Sequence, residues 1–148
     1  MKILLVEDDG YKSAAIEQWI KLKYLNIDIE LAGSYRDGCI KALEGSYDLL
    51  ILDMTLPGRI QKAGSAKDTI ANGGELIIRE MLDENIHFKA VILTQYETFN
   101  GETIEAINER IMNLCGDSFC GCISYNSQDD RWKDNLNTIL DYVEGSNS

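Results

Sequence analysis

Positive charge is in short supply in this sequence. Its 148 residues carry 14 Lys and Arg against 25 Asp and Glu, a formal net charge of −11. A surface of that balance offers no basic footprint for a phosphate backbone, so nucleic acid is not the expected partner, and cations are. Long apolar runs are missing too: none approaches the roughly 18 to 20 residues of a membrane span. No membrane association is expected. The N-terminus opens directly on Met1-Lys2-Ile3-Leu4-Leu5-Val6, without the charged region, apolar stretch and small-residue site of a secretory leader, and the expected location is cytoplasmic. Histidine is nearly absent, with His87 alone. Of the four cysteines, Cys120 and Cys122 are spaced as Cys-x-Cys, which on a regular strand puts both thiols on one face and would suit a metal or redox pair. No second cysteine pair and no second histidine complete a tetrahedral set, so reduced, packed thiols are the expectation.

What is present is an alternation of short apolar runs with amphipathic stretches. Lys2 to Val6, Leu49 to Leu52 and Ala90 to Thr94 read as buried strands of a parallel sheet, with Ile27 to Leu31 and Cys120 to Tyr125 as two more. Between them, helical spacing appears from about Tyr11 to Tyr24 (Ala15, Ile16, Trp19, Ile20, Leu22). It recurs after Ser34 (Cys39, Ile40, Ala42, Leu43, closed by Gly45), from Glu75 to Asp83, from Glu102 to Leu114, and from Asp129 to Val143. Strict alternation implies right-handed crossovers and an α/β fold, a doubly wound five-stranded parallel sheet with helices on both faces. Residues 1–144 are expected to form one domain, and 145–148 a flexible tail. The polar stretch from Gly58 to Gly73 is long for a connection without structure of its own, and such connections tend to be functional or mobile.

Three carboxylates fall where such a sheet binds its ligands, beyond the carboxyl ends of the strands. Glu7 and Asp8 follow the first strand and Asp53 ends the third. An acidic pair after a strand can simply cap a helix, and Asp9 is expected to begin one. Asp53 is different, because a charge at the end of a continuous apolar run is costly without a partner. Converging carboxylates repel unless a cation neutralises them, and hard oxygen ligands with room for water describe a Mg2+ site.

Leu5-Val6-Glu7-Asp8-Asp9, Leu52-Asp53-Met54-Thr55-Leu56-Pro57-Gly58 and Val91-Ile92-Leu93-Thr94 resemble the signature segments of response-regulator receiver domains, and the resemblance spans nearly the whole chain. It implies a flavodoxin-like receiver fold and a phosphoprotein of two-component signal transduction, not an enzyme beyond slow self-phosphorylation and dephosphorylation. By the resemblance, Asp53 accepts a phosphoryl group from a histidine kinase or a phosphotransfer protein of a phosphorelay. Asp8, Asp53 and the Thr55 carbonyl hold magnesium, with Glu7 acting through water, and Thr94 hydrogen-bonds a phosphoryl oxygen. The chemistry agrees, since phosphoryl transfer needs an in-line nucleophile with cations and donors on the equatorial oxygens. An FMN-binding flavodoxin would need a phosphate loop where this chain has Glu7-Asp8-Asp9. A haloacid-dehalogenase-type phosphatase would need an acid where it has Thr55.

The family usually places a lysine, followed by proline, at the end of the fifth strand. This chain has Tyr125 or Ser124 there, Pro57 is its only proline, and no lysine lies between Lys89 and Lys133. The aromatic switch position falls on Cys122 or Gly121. Two readings follow: a stand-alone receiver signalling through protein contacts, or a pseudo-receiver that works as an interaction module without phosphate. In the first, one of Arg59, Lys62 and Lys67 of the long loop could fold over the phosphoryl group in place of the missing lysine, the alternative being a solvated insertion with incidental charge. A downstream protein partner is expected on the face of the fourth helix, fifth strand and fifth helix, with Tyr96, Phe99 and Tyr125 as candidate aromatic contacts and Trp132 as either a further contact or a core residue.

Overall fold

Strands with no polar face must be covered on both sides, and this requirement organises the molecule. The computed structural model describes residues 1–59, 69–95, 98–99 and 101–146. Five strands, β1 (Lys2–Val6), β2 (Asp28–Ala32), β3 (Leu49–Leu52), β6 (Ala90–Thr94) and β9 (Phe119–Ser124), form one parallel sheet in the order β2-β1-β3-β6-β9. The doubly wound sheet is therefore as expected. Side chains alternate across it. Leu4, Val6, Leu50, Leu52, Ala90 and Ile92 pack under α2 (Tyr35–Glu44), α3 (Gly73–Asp83) and α4 (Ile104–Cys115). Ile3, Leu5, Leu49, Ile51, Val91 and Leu93 pack under α1 (Gly10–Lys23) and α5 (Arg131–Ser146).

Helix starts follow their caps. Asp9 accepts the N–H groups of Tyr11 and Lys12, so α1 begins at Gly10. Ser34 Oγ accepts the Asp37 N–H at 3.1 Å, and Thr103 Oγ1 accepts that of Ala106 at 3.1 Å. Leu22 and Ile40 were expected inward but are exposed, because each lies two residues from a buried Ile20 or Ala42, about 200° round the helix. The last helix runs on to Ser146, two residues into the stretch expected as a tail.

Two further departures bear on function. The long connection carries structure at its base, where β4 (Leu56–Pro57) pairs antiparallel with β5 (Thr69–Ile70). A second short ribbon, β7 (Thr98–Phe99) with β8 (Glu102–Thr103), precedes α4. The cysteine pair is also not a pair. Between Ala90↔Phe119 and Ile92↔Cys122 the register slips by one residue at Gly121, whose φ is +116°. This bulge turns Cys122 to the α2–α4 side and leaves Cys120 on the α1–α5 side. Burial raises both thiols above their usual range, Cys122 to about 12, as suits packed and unreactive groups.

Candidate functional site

The register of β1 on β3 builds the site. Val6 is level with Leu52, so the residues that follow, Glu7 and Asp53, emerge side by side at the carboxyl edge of the sheet. Their backbone continues the ladder for one more step: Glu7 N–H donates to the Ala32 carbonyl at 2.9 Å and Asp53 N–H to that of Val6 at 3.0 Å. Both carboxylates are buried, whereas Asp8 between β1 and α1 is exposed. One oxygen from each of Glu7, Asp8 and Asp53 lies within 4.8 Å of the others. The N-terminus of α3 presses against the same turn. Gly74 N–H donates to the Met54 carbonyl at 3.1 Å, and a Cβ on Gly74 would meet the Asp53 carbonyl oxygen at 2.4 Å, so only glycine fits.

Sequence reasoning missed the cation in this pocket. Lys12 is buried, and its ammonium lies 2.6 Å from Glu7 Oε2 and 3.3 Å from Asp53 Oδ1 while donating to the Leu93 carbonyl at 2.8 Å. A signal was available: Lys12, Ile16 and Ile20 are the buried stripe of α1, spaced four apart, and a lysine on that stripe points inward. The remaining bonds are local. Glu7 Oε1 accepts the Asp9 N–H at 3.1 Å, and Asp53 Oδ1 accepts the Met54 N–H at 2.9 Å. Burial raises the Glu7 carboxyl to about 7, with Lys12 opposing the rise and the Asp53 charge adding to it. Burial likewise raises Asp53, against the pull of Lys12 and the Met54 N–H. One ammonium does not offset two buried carboxylates.

Comparison with known proteins bears on what this site is. No family model matches the sequence. The chain is 24% identical over 139 residues to the uncharacterized protein y4jR of Sinorhizobium fredii, across 90% of this chain and 92% of that one. It is 39% identical over 56 residues to response regulator ArlR of Staphylococcus saprophyticus, across 38% of this chain and 24% of that protein. The signal receiver domain of a putative Luxo repressor protein from Vibrio parahaemolyticus superposes with a TM-score of 0.68 at 18% identity, covering 99% of this chain and 94% of that one. Response regulator TrrA of Thermotoga maritima, solved in complex with Mg(2+)-BeF, gives 0.54 at 18% identity over 93% and 96%. The chain has the receiver-domain fold of response regulators.

On this receiver fold the other expected residues fall as follows. Thr94 is buried at the end of β6, opposite Ser124. Thr55 follows Asp53 on the β3–β4 turn and donates through Oγ1 to the Ala71 carbonyl at 3.1 Å. Tyr125 stands just beyond β9, its N–H bonded to the Thr94 carbonyl at 2.7 Å. Its ring lies 5.5 Å from Lys12 Nζ and 5.2 Å from the Trp132 ring. Tyr125 and Trp132 are both buried, which removes them from the expected aromatic surface patch: the apolar stripe of α5 draws them into the core. Lys62, Lys67, Tyr96 and the Phe99 side chain lie outside the described residues.

A second charged cluster ties α3 to α4. Glu75 is buried and pairs with Arg79 at 3.0 Å and Arg110 at 2.6 Å, and Arg110 also bonds Glu102. Glu75 follows Gly74, whose N–H holds the Met54 carbonyl of the Asp53 turn.

Proposed function

We propose that this chain is a signalling receiver that accepts a phosphoryl group on Asp53 in a magnesium-dependent reaction, from a histidine kinase or a phosphotransfer protein. The observation that carries the reading is a buried aspartate at the end of the central strand with two further acidic side chains within 4.8 Å. Hard oxygens in that number suit magnesium, with water completing the shell. Asp8 and Asp53, with the Thr55 carbonyl and Glu7 through water, are the residues that would hold it. Bound there, the ion would neutralise the carboxylates and the charge on the transferring phosphoryl oxygens. Asp53 is the nucleophile: a carboxylate oxygen forms the new P–O bond as the donor's P–N bond breaks, and the imidazole leaves with the electron pair. Thr94 supplies a hydroxyl to a phosphoryl oxygen. The signal would pass to a downstream protein through α4, β9 and α5, where Met112 and Leu114 are exposed on α4.

Incubation with acetyl phosphate and magnesium, followed by intact-mass spectrometry, tests the proposal. The wild type should gain one phosphoryl group and Asp53→Ala none. An unmodified, folded wild type would leave the phosphate-independent interaction module as the reading.

A further inference from the structure

Resting on the phosphoryl-acceptor reading of Asp53, we infer that Lys12 is the cation that holds the phosphoryl group, entering from α1 where related domains supply a lysine from a strand end. Among the described residues, Lys12 alone pairs with Glu7 and Asp53. Lysine is seldom fully buried unless paired, and the side chain of Lys12 is only 2% exposed. Its three donors are directed to three different strands, at Glu7 beyond β1, Asp53 beyond β3 and Leu93 in β6. The contact to Asp53, at 3.3 Å, is the longest of the three and the one most readily exchanged for a phosphoryl oxygen.

Tyr125 explains why the cation comes from α1. It takes the position just past β9 with a buried ring that lies 5.5 Å from the Lys12 ammonium, a cation–π contact at the place where a strand-end lysine would stand. A cleft of about 500 Å³, lined in part by Asp9, Lys12, Gln95, Ser124, Tyr125 and Asn126, opens beside it. In the transfer step Lys12 keeps its proton and changes only hydrogen-bond partners. The bond that forms is Asp53 oxygen to phosphorus, and the donor departs with the electrons of the bond that breaks.

Beryllofluoride and magnesium titrations of the full chain test the assignment. Wild type, Lys12→Gln and the double variant Lys12→Gln/Tyr125→Lys are compared by fluorine NMR and calorimetry. Lys12→Gln should weaken beryllofluoride about 10- to 100-fold, the effect of losing a charged hydrogen bond, while magnesium binds as well or better because a competing cation is gone. Tyr125→Lys, which returns the cation to the strand end, should recover beryllofluoride binding in the double variant. Beryllofluoride affinity of Lys12→Gln within about twofold of wild type would overturn the assignment, since that is less than the loss expected even for a neutral contact. Parallel loss of both affinities, unrecovered by Tyr125→Lys, would also overturn it and leave Lys12 a structural counter-ion. Wild type that binds magnesium but no beryllofluoride would defeat the acceptor reading itself.

Discussion

Glu7 and Glu75 are both buried glutamates bound by cations, yet their carboxyls are pushed in opposite directions. Burial raises Glu7 to about 7, because its one ammonium is shared with Asp53. Burial acts on Glu75 in the same sense, but hydrogen bonds and charge from Arg110 and Arg79 outweigh it and the carboxyl is lowered. The first cluster carries excess negative charge at the edge where ligands bind; the second is balanced and fastens two helices. The difference teaches how to tell a site from a brace when both are made of the same residue types: a brace satisfies its charges, whereas a site leaves some for a ligand to satisfy.

Removing the cation from the unbalanced cluster should have the largest effect. Lys12→Met in magnesium-free buffer at pH 8 is expected to cost about 2 to 4 kcal/mol, since two buried carboxylates lose their counter-charge. A carboxyl whose folded pKa is raised weakens the fold as pH climbs from its unfolded value to its folded one. The penalty should therefore shrink at pH 5, where Glu7 is protonated, and urea unfolding at the two pH values measures it. Equal penalties would mean that the two carboxylates do not share the site electrostatically.

Glu75→Gln comes next, at about 1 to 2 kcal/mol, less than for a fully enclosed pair because Arg79 and Arg110 are partly solvated. Here the sign reverses. A lowered carboxyl contributes stability above its unfolded pKa and loses it as pH falls, so the gap between wild type and variant should close in acid. Smallest, and opposite in direction, is Asp53→Asn. Relieving like charge should raise stability by about 1 kcal/mol at pH 8 without magnesium, and the melting temperature should then respond less to added magnesium than that of wild type.

Much of this could be read in the sequence, for reasons that the structure makes concrete. Leu49 to Leu52 had no polar face, so a central strand and the position of Asp53 at its carboxyl end followed together. The parallel register then brought Glu7 alongside. Lys12 was hidden because charged residues on a helix are usually solvated, and only its spacing from Ile16 and Ile20 betrayed the inward direction. The separation of Cys120 from Cys122 was hidden for another reason: counting by twos along a strand assumes an unbroken register, and the slip at Gly121 depends on how β9 meets β6. The Glu75 cluster joins residues 35 apart on two helices, a pairing that local patterns do not encode.

The β4–β5 ribbon has one more consequence. By setting Pro57 opposite Thr69, it gives the domain a clasp outside the sheet. The entropy cost of closing a segment at its two ends grows slowly, by about 0.6 kcal/mol for each doubling of its length. The connection that leaves the sheet after Asp53 can therefore change in length between Pro57 and Thr69 at small cost in stability, while the Asp53 turn keeps the hold that Gly74 has on it through the Met54 carbonyl.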